Sequence, residues 1–181
     1  MGTLQDELKK LYPKRPSAKQ PTHPPYSNLD IPQSYQKFCA DMAGRDFTDP
    51  RNTQISVLDV NFPKLLGAKM AATGAKAKAS LVLASLKNGT FNPALYEVED
   101  DRIDTLFWIE DTICKCDSIH DNNHPVIEAD EVYVKRYDKI GSQVKLVFTR
   151  KLDAGQIVIV TSFLTSPADL VRFVKMPPIW P

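Results

Sequence analysis

The sequence predicts an α+β protein: helices packed on a small antiparallel β-sheet, preceded by a disordered proline-rich arm. Three observations predict it. Pro13, Pro16, Pro21, Pro24, Pro25 and Pro32 crowd residues 1–32; apolar residues then recur at helical spacing as far as Cys114; and from Glu131 the period falls to two.

In the arm each proline fixes φ and removes a donor, so little regular structure forms beyond a short helix over Leu4 to Leu11. The segment reads as a linker first and as a proline-rich docking ligand second. A single domain then occupies residues 33–181. It opens near Ser34, whose hydroxyl is placed to cap a helix carrying Tyr35, Phe38, Cys39 and Met42, ended by Gly44. Ile55 to Val60 reads as a short strand before Pro63. Ala79, Val82, Leu83 and Leu86 share a helical face that stops at Asn88-Gly89. A further helix runs from about Asp100 to Cys114, with Asp100 and Asp101 in its first turn, where the dipole favours them.

Glu131–Tyr137, Val144–Arg150 and Gln156–Leu164 are then three strands, joined across Gly141 and Gly155 into a meander. The last is apolar on both faces and belongs in a covered position. The tail, with Arg172, Lys175 and Ile179-Trp180 among prolines, either packs at an edge or lies loose.

Bulk properties narrow the function less. With 23 basic and 22 acidic residues the net charge is +1, so a nucleic-acid binder here has to gather its cations on one face. The first residues lack the apolar segment of a signal peptide, and no apolar run approaches the ~18 residues that span a bilayer. Three cysteines, an odd number, suit a reducing compartment. The expectation is a cytoplasmic protein, in its own cell or a target cell, with no membrane partner.

Three groups of residues offer chemistry. Tyr133, Lys135 and Tyr137 share one face of the first meander strand, reinforced by Lys145 and Thr149 on the next. If helices cover the other face, these bind a phosphodiester and stack a base; the ordinary alternative is the solvated face of a half-buried sheet. By the same alternation Thr161 and Ser162 point opposite ways, so at most one lines a given cleft. The run Cys114-x-Cys116-x3-His120-x3-His124 holds four soft or borderline ligands within eleven residues, enough to close a tetrahedral zinc site. Cys-x-Cys, however, sets its sulfurs on opposite sides of extended backbone, and we place no metal there. His120 and His124 are also the residues whose unperturbed pKa suits proton transfer near neutrality. No phosphate loop, dinucleotide fingerprint or nucleophile elbow is present, and no cofactor is expected.

Three segments together resemble a known group. Asp101-Arg102-Ile-Asp-Thr-Leu-Phe-Trp108-Ile-Glu-Asp111-Thr112-Ile is similar to the "R…L.WI.DTL" helix of phage-associated nuclease-like domains of the barnase/EndoU/colicin/RelE-like (BECR) group. Glu131-Val-Tyr-Val-Lys135 and Val158-Ile-Val-Thr-Ser-Phe163 resemble its "VY.K" and "VVTSF" strands, in the same order. The sequence departs from the pattern at Cys116, where a proline is usual. The likeness covers roughly residues 60 to 166 and implies helices on a small antiparallel sheet with metal-independent ribonuclease activity, often as a toxin. Arg102, Tyr133, Lys135, Thr161 and Ser162 fall on the matching positions.

The resulting expectation is an RNA-cleaving domain, its substrate RNA and its further partner an immunity or antitoxin protein. His124 or His120 serves as general base or acid, and Lys135 with Arg150 or Arg102 stabilises the phosphorane. Tyr133 and Thr161 orient phosphate or base, with Tyr137, Lys145 and Ser162 beside them. The alternative is a non-catalytic module of the same fold that binds protein or nucleic acid.

Overall fold

The computed structural model describes residues 29–99, 102, 105–137 and 143–181. The expected Leu4–Leu11 helix, the rest of the arm before Leu29, and Gly141 lie outside them. The described chain is α+β, with four α-helices, a six-stranded mixed sheet and a separate two-stranded one.

Helix α1 spans Ile31–Asp41 and its cap is Asp30, not Ser34. The Asp30 carboxylate accepts from the Gln33 N–H at 2.7 Å, and Gln33 Oε1 accepts from the Asp30 N–H at 3.1 Å. This reciprocal box satisfies two of the donors a helix start leaves open, and Pro32 sits in the first turn, where its missing N–H costs nothing. Ser34 is buried inside the helix beside Tyr35 and Phe38. Strands β1 (Asp46–Thr48) and β2 (Gln54–Ser56) follow as a short antiparallel pair, then a one-turn helix α2 (Phe62–Leu65) and strand β3 (Lys69–Met70). Helix α3 (Ala79–Asn88) turns Val82, Leu83 and Leu86 inward and ends on Gly89, whose φ of +71° provides the left-handed cap. Strand β4 (Tyr96–Glu97) pairs with β3. Helix α4 is Trp108–Cys114, shorter than the expected 100–114, because Thr105–Phe107 forms a turn; Asp100 and Asp101 are outside the described residues.

Strand β5 (Ser118–Asp121) forms between α4 and the meander, where no strand was expected. The meander is present as β6 (Glu131–Arg136), β7 (Val144–Lys151) and β8 (Ile157–Thr165), with Gly155 at φ +91° in the β7–β8 turn. The sheet order is β1-β2-β8-β7-β6-β5, all neighbours antiparallel except β2 and β8. The sheet is therefore larger than expected and mixed, and β8 is internal. The tail docks on the outer edge of β5: the Ile119 N–H donates to the Trp180 carbonyl at 2.9 Å and the Ile179 N–H to the Ile119 carbonyl at 2.8 Å.

Both sheet faces are covered. One bears Ile119, Tyr133, Val147 and Ile159 and packs against residues of all four helices, including Phe38, Phe62, Val82 and Ile109. The other bears Val132, Val134, Leu146 and Phe148 beneath Leu170 and Val174 of the segment after β8. Each fully buried Phe or Ile contributes about 1.5–3 kcal/mol, so each layer is anchored by its own apolar cluster.

Candidate functional site

The face expected to lie open, with Tyr133, Lys135, Tyr137 and Lys145, is the one the helices cover. All four residues are buried. Their polar ends meet partners supplied from elsewhere in the chain, which is why composition alone misplaces them. Lys135 Nζ lies 3.0 Å from Asp111 Oδ2, and the Tyr137 hydroxyl donates to the same carboxylate at 2.8 Å. Lys145 Nζ donates to Thr105 Oγ1 at 2.8 Å. Thr149, on the same face, is buried too.

Tyr133 closes a second polar cluster. Its hydroxyl donates to Asp49 Oδ2 at 2.6 Å and accepts from Arg51 Nη2 at 3.1 Å, and Arg51 Nη2 also bonds Glu131 Oε1 at 2.8 Å. Burial pushes the Asp49 carboxyl up, but the Tyr133 hydroxyl, the Thr53 amide and Arg51 outweigh it and hold the group below its ordinary value. Burial raises the Tyr133 phenol far above its usual range. Neither group offers a free hydrogen-bonding face to a ligand.

The Cys-His run splits across the sheet. Cys116 belongs to the helix-side core, where burial pushes its thiol up to about 12, and Cys114 packs half-buried beside that core. His120, paired in register with Val132, is fully buried on the opposite face. Its Nδ1 is 2.9 Å from the Lys175 carbonyl, so Nδ1 carries the proton, and Nε2 accepts from Ser118 Oγ at 2.8 Å. Burial lowers its pKa. Among the described residues no three His, Cys, Asp or Glu side chains are grouped as ligands.

Ser162 points to the helix side and donates to the Leu146 carbonyl at 2.8 Å, while Thr161 points the other way. Arg150 is half-exposed, 3.6 Å from Glu128.

Two of the expected residues, 59 positions apart in the chain, do come together. Strand β2 pairs with β8 only at Ser56 and Val158. Beyond that point a cleft of ≈ 400 Å³ opens beside β8, lined by Lys64, Gly67, Lys69, Lys76, Glu99, Arg102, Glu128, Val160, Thr161 and Phe163 among others. Arg102 Nη1 donates to Thr161 Oγ1 and to the Lys64 carbonyl, both at 3.2 Å, and Nε donates to Glu99 Oε2 at 2.7 Å. The guanidinium lies 5.1 Å over the Phe163 ring. Its other neighbour is Gly67, at φ +63°, where an added Cβ would stand 3.0 Å from Arg102 Nε. Ring, glycine and three acceptors fix the cation in one orientation.

His124 stands on the loop that walls this cleft through Val126, Ile127 and Glu128. Its ring stacks 5.3 Å from Phe173, which in turn meets Phe163 edge-on at 5.0 Å. The His124 Nδ1 accepts from the Val126 N–H at 3.2 Å, so the neutral ring carries its proton on Nε2. The Asn122 side chain holds the loop, accepting from the His124 N–H at 2.9 Å and donating to the Ile127 carbonyl at 2.8 Å.

Lys64, Lys69, Lys76 and Glu99 were not foreseen. Each looks like an ordinary solvated residue in sequence, and the only pointer to their neighbourhood is the motif match at Arg102. Comparison with protein-family models, with curated proteins and with solved structures found no match.

Proposed function

We propose that the protein is an RNA-cleaving domain of the BECR nuclease type whose working site is the Arg102–Thr161 cleft, away from the buried sheet face. The observation that carries this reading is the clamped Arg102, a cation held 3.2 Å from Thr161 Oγ1 inside a concave site. RNA cleavage by this route needs no external nucleophile. The 2′-hydroxyl attacks phosphorus, the P–O5′ bond breaks, and a 2′,3′-cyclic phosphate and a 5′-hydroxyl result. Arg102 neutralises the negative charge that develops on the phosphorane, where a preorganised donor has most effect. Thr161 orients the phosphate. His124 protonates the leaving O5′ as imidazolium, which requires the ring to turn off the Val126 N–H and into the cleft, and Glu128, on the same loop and paired only loosely with Arg150, accepts the 2′-hydroxyl proton.

The test is cleavage of end-labelled RNA in the presence of a chelator, by wild type and by Arg102→Ala. Wild type is expected to cut, with the variant slower by about 10²–10³-fold. Undiminished cleavage by Arg102→Ala sinks the assignment of the site.

A non-catalytic binding module is the second reading, favoured by one observation: among the described residues no histidine side chain lines the cleft itself. It predicts that wild type binds RNA or a protein without any turnover, and that loss of His124 changes nothing.

A further inference from the structure

The cleft carries more positive charge than one phosphate requires. Lys69 and Lys76 are cross-strand partners in an isolated antiparallel bridge. They stand at the base of a tight turn closed by the Met70 N–H to the Ala75 carbonyl at 2.7 Å. Partners in such a bridge project to the same side, so two ammonium groups face one way, an arrangement that is destabilising without a counter-charge. Lys69 turns from its other cross-strand neighbour, Glu97, toward Glu99, 3.6 Å away. Glu99 uses its second oxygen for Arg102 at 2.7 Å. One carboxylate therefore stands between Arg102 and Lys69, with a cation on each of its oxygens. Among the described residues four cationic side chains line the cleft (Lys64, Lys69, Lys76, Arg102) against two carboxylates (Glu99, Glu128).

We propose that Lys69 and Lys76 form a second phosphate subsite, which takes the phosphodiester next to the one held by Arg102 on the same RNA strand. The proposal rests on the cleft being the RNA site. It makes the ligand a strand with at least two consecutive phosphates and assigns the lysines to affinity, leaving the bond-breaking step to Arg102 and its neighbours. An isolated phosphate on Arg102 gains nothing from them beyond weak long-range attraction, which salt screens.

Binding is measured by fluorescence anisotropy with labelled 2′-O-methyl oligoribonucleotides, which lack the nucleophile and stay intact. One probe is a hexanucleotide and the other a dinucleotide with a single phosphate. The protein is the full chain, as wild type and as the Lys69→Gln/Lys76→Gln double variant. For the hexanucleotide the variant is expected to bind about tenfold more weakly, with a salt slope shallower by about 0.7, the value for one lost phosphate contact on a single strand. For the dinucleotide the two proteins should bind alike. Equal affinities for the hexanucleotide, or equal losses on both probes, overturn the subsite, even if RNA is cut normally. A lysine-dependent preference for the longer probe in a protein that cuts no RNA leaves the subsite standing and removes the cleavage reading. Failure of wild type to bind either probe removes both.

Discussion

Replacing Tyr133 by Phe deletes one oxygen from the buried cluster of Asp49, Arg51 and Glu131. The phenol is 0% exposed and its hydroxyl donates to Asp49 at 2.6 Å. A hydrogen bond to a charged acceptor contributes about 1.5–3 kcal/mol. Asp49 is not stranded by the change, since it still accepts from the Thr53 N–H at 2.8 Å, the Arg51 N–H at 2.9 Å and the Arg51 guanidinium at 3.0 and 3.1 Å. The loss therefore belongs in the lower half of that range, about 1.5–2 kcal/mol. It should appear in urea unfolding at pH 7 as a lower midpoint with an unchanged slope. A second arm uses acid. Asp49 titrates below its ordinary value in the folded protein. Its contribution is then complete above the unfolded pKa of about 3.9 and is lost as pH falls through the lower folded value. The gap between wild type and Tyr133→Phe should narrow over the same acid window, as the acceptor loses its charge. A loss under about 0.5 kcal/mol at pH 7, within the scatter of surface substitutions, refutes the account of Tyr133 as a structural donor. Full stability together with lost RNA cleavage would return Tyr133 to the functional site.

Two further outcomes follow from the same geometry. Burial lowers the His120 pKa, so the protein should lose thermal stability as pH falls from about 6.5, because the unfolded chain takes up the proton first; His120→Gln should flatten that dependence between pH 7 and 5, and an unchanged profile would show that His120 does not govern it. Gly67→Ala puts a side chain at φ +63° and a Cβ 3.0 Å from Arg102 Nε. About 1–2 kcal/mol of stability should go, and cleavage should fall further than the unfolded fraction explains; a variant as stable and active as wild type contradicts the clamp.

The meander was legible because each strand carries its own period and a turn glycine, as at Gly155, and because Val158 to Phe163 is too apolar to lie open. The α3 helix was legible from Val82, Leu83, Leu86 and the Gly89 stop. What failed were features decided by distant partners. Lys135 and Tyr137 look like surface residues until Asp111 of α4 is placed over them, and nothing local specifies that α4 crosses there. Strand β5 escaped because two of its three buried side chains, Ser118 and His120, are polar and satisfy each other at 2.8 Å, leaving Ile119 as a single apolar residue with no alternation to read. Arg102 and Thr161 were legible only through motif resemblance. The lysines around them became visible as a group only when the β3 turn brought Lys69 opposite Lys76.

The docking of residues 179 and 180 on β5 has a bearing on how the molecule behaves in a crowded solution. An apolar sheet with two unpaired borders is a template for strand exchange and fibre growth. Here the backbone of Ile119 is already engaged on one border. The opposite border is β1, three residues long, with an exposed aspartate whose carboxylate accepts from Ser56 Oγ at 2.6 Å. A border so short and so acidic gives an incoming chain little to copy. The sheet can thus bury both of its faces without offering either border to a neighbour.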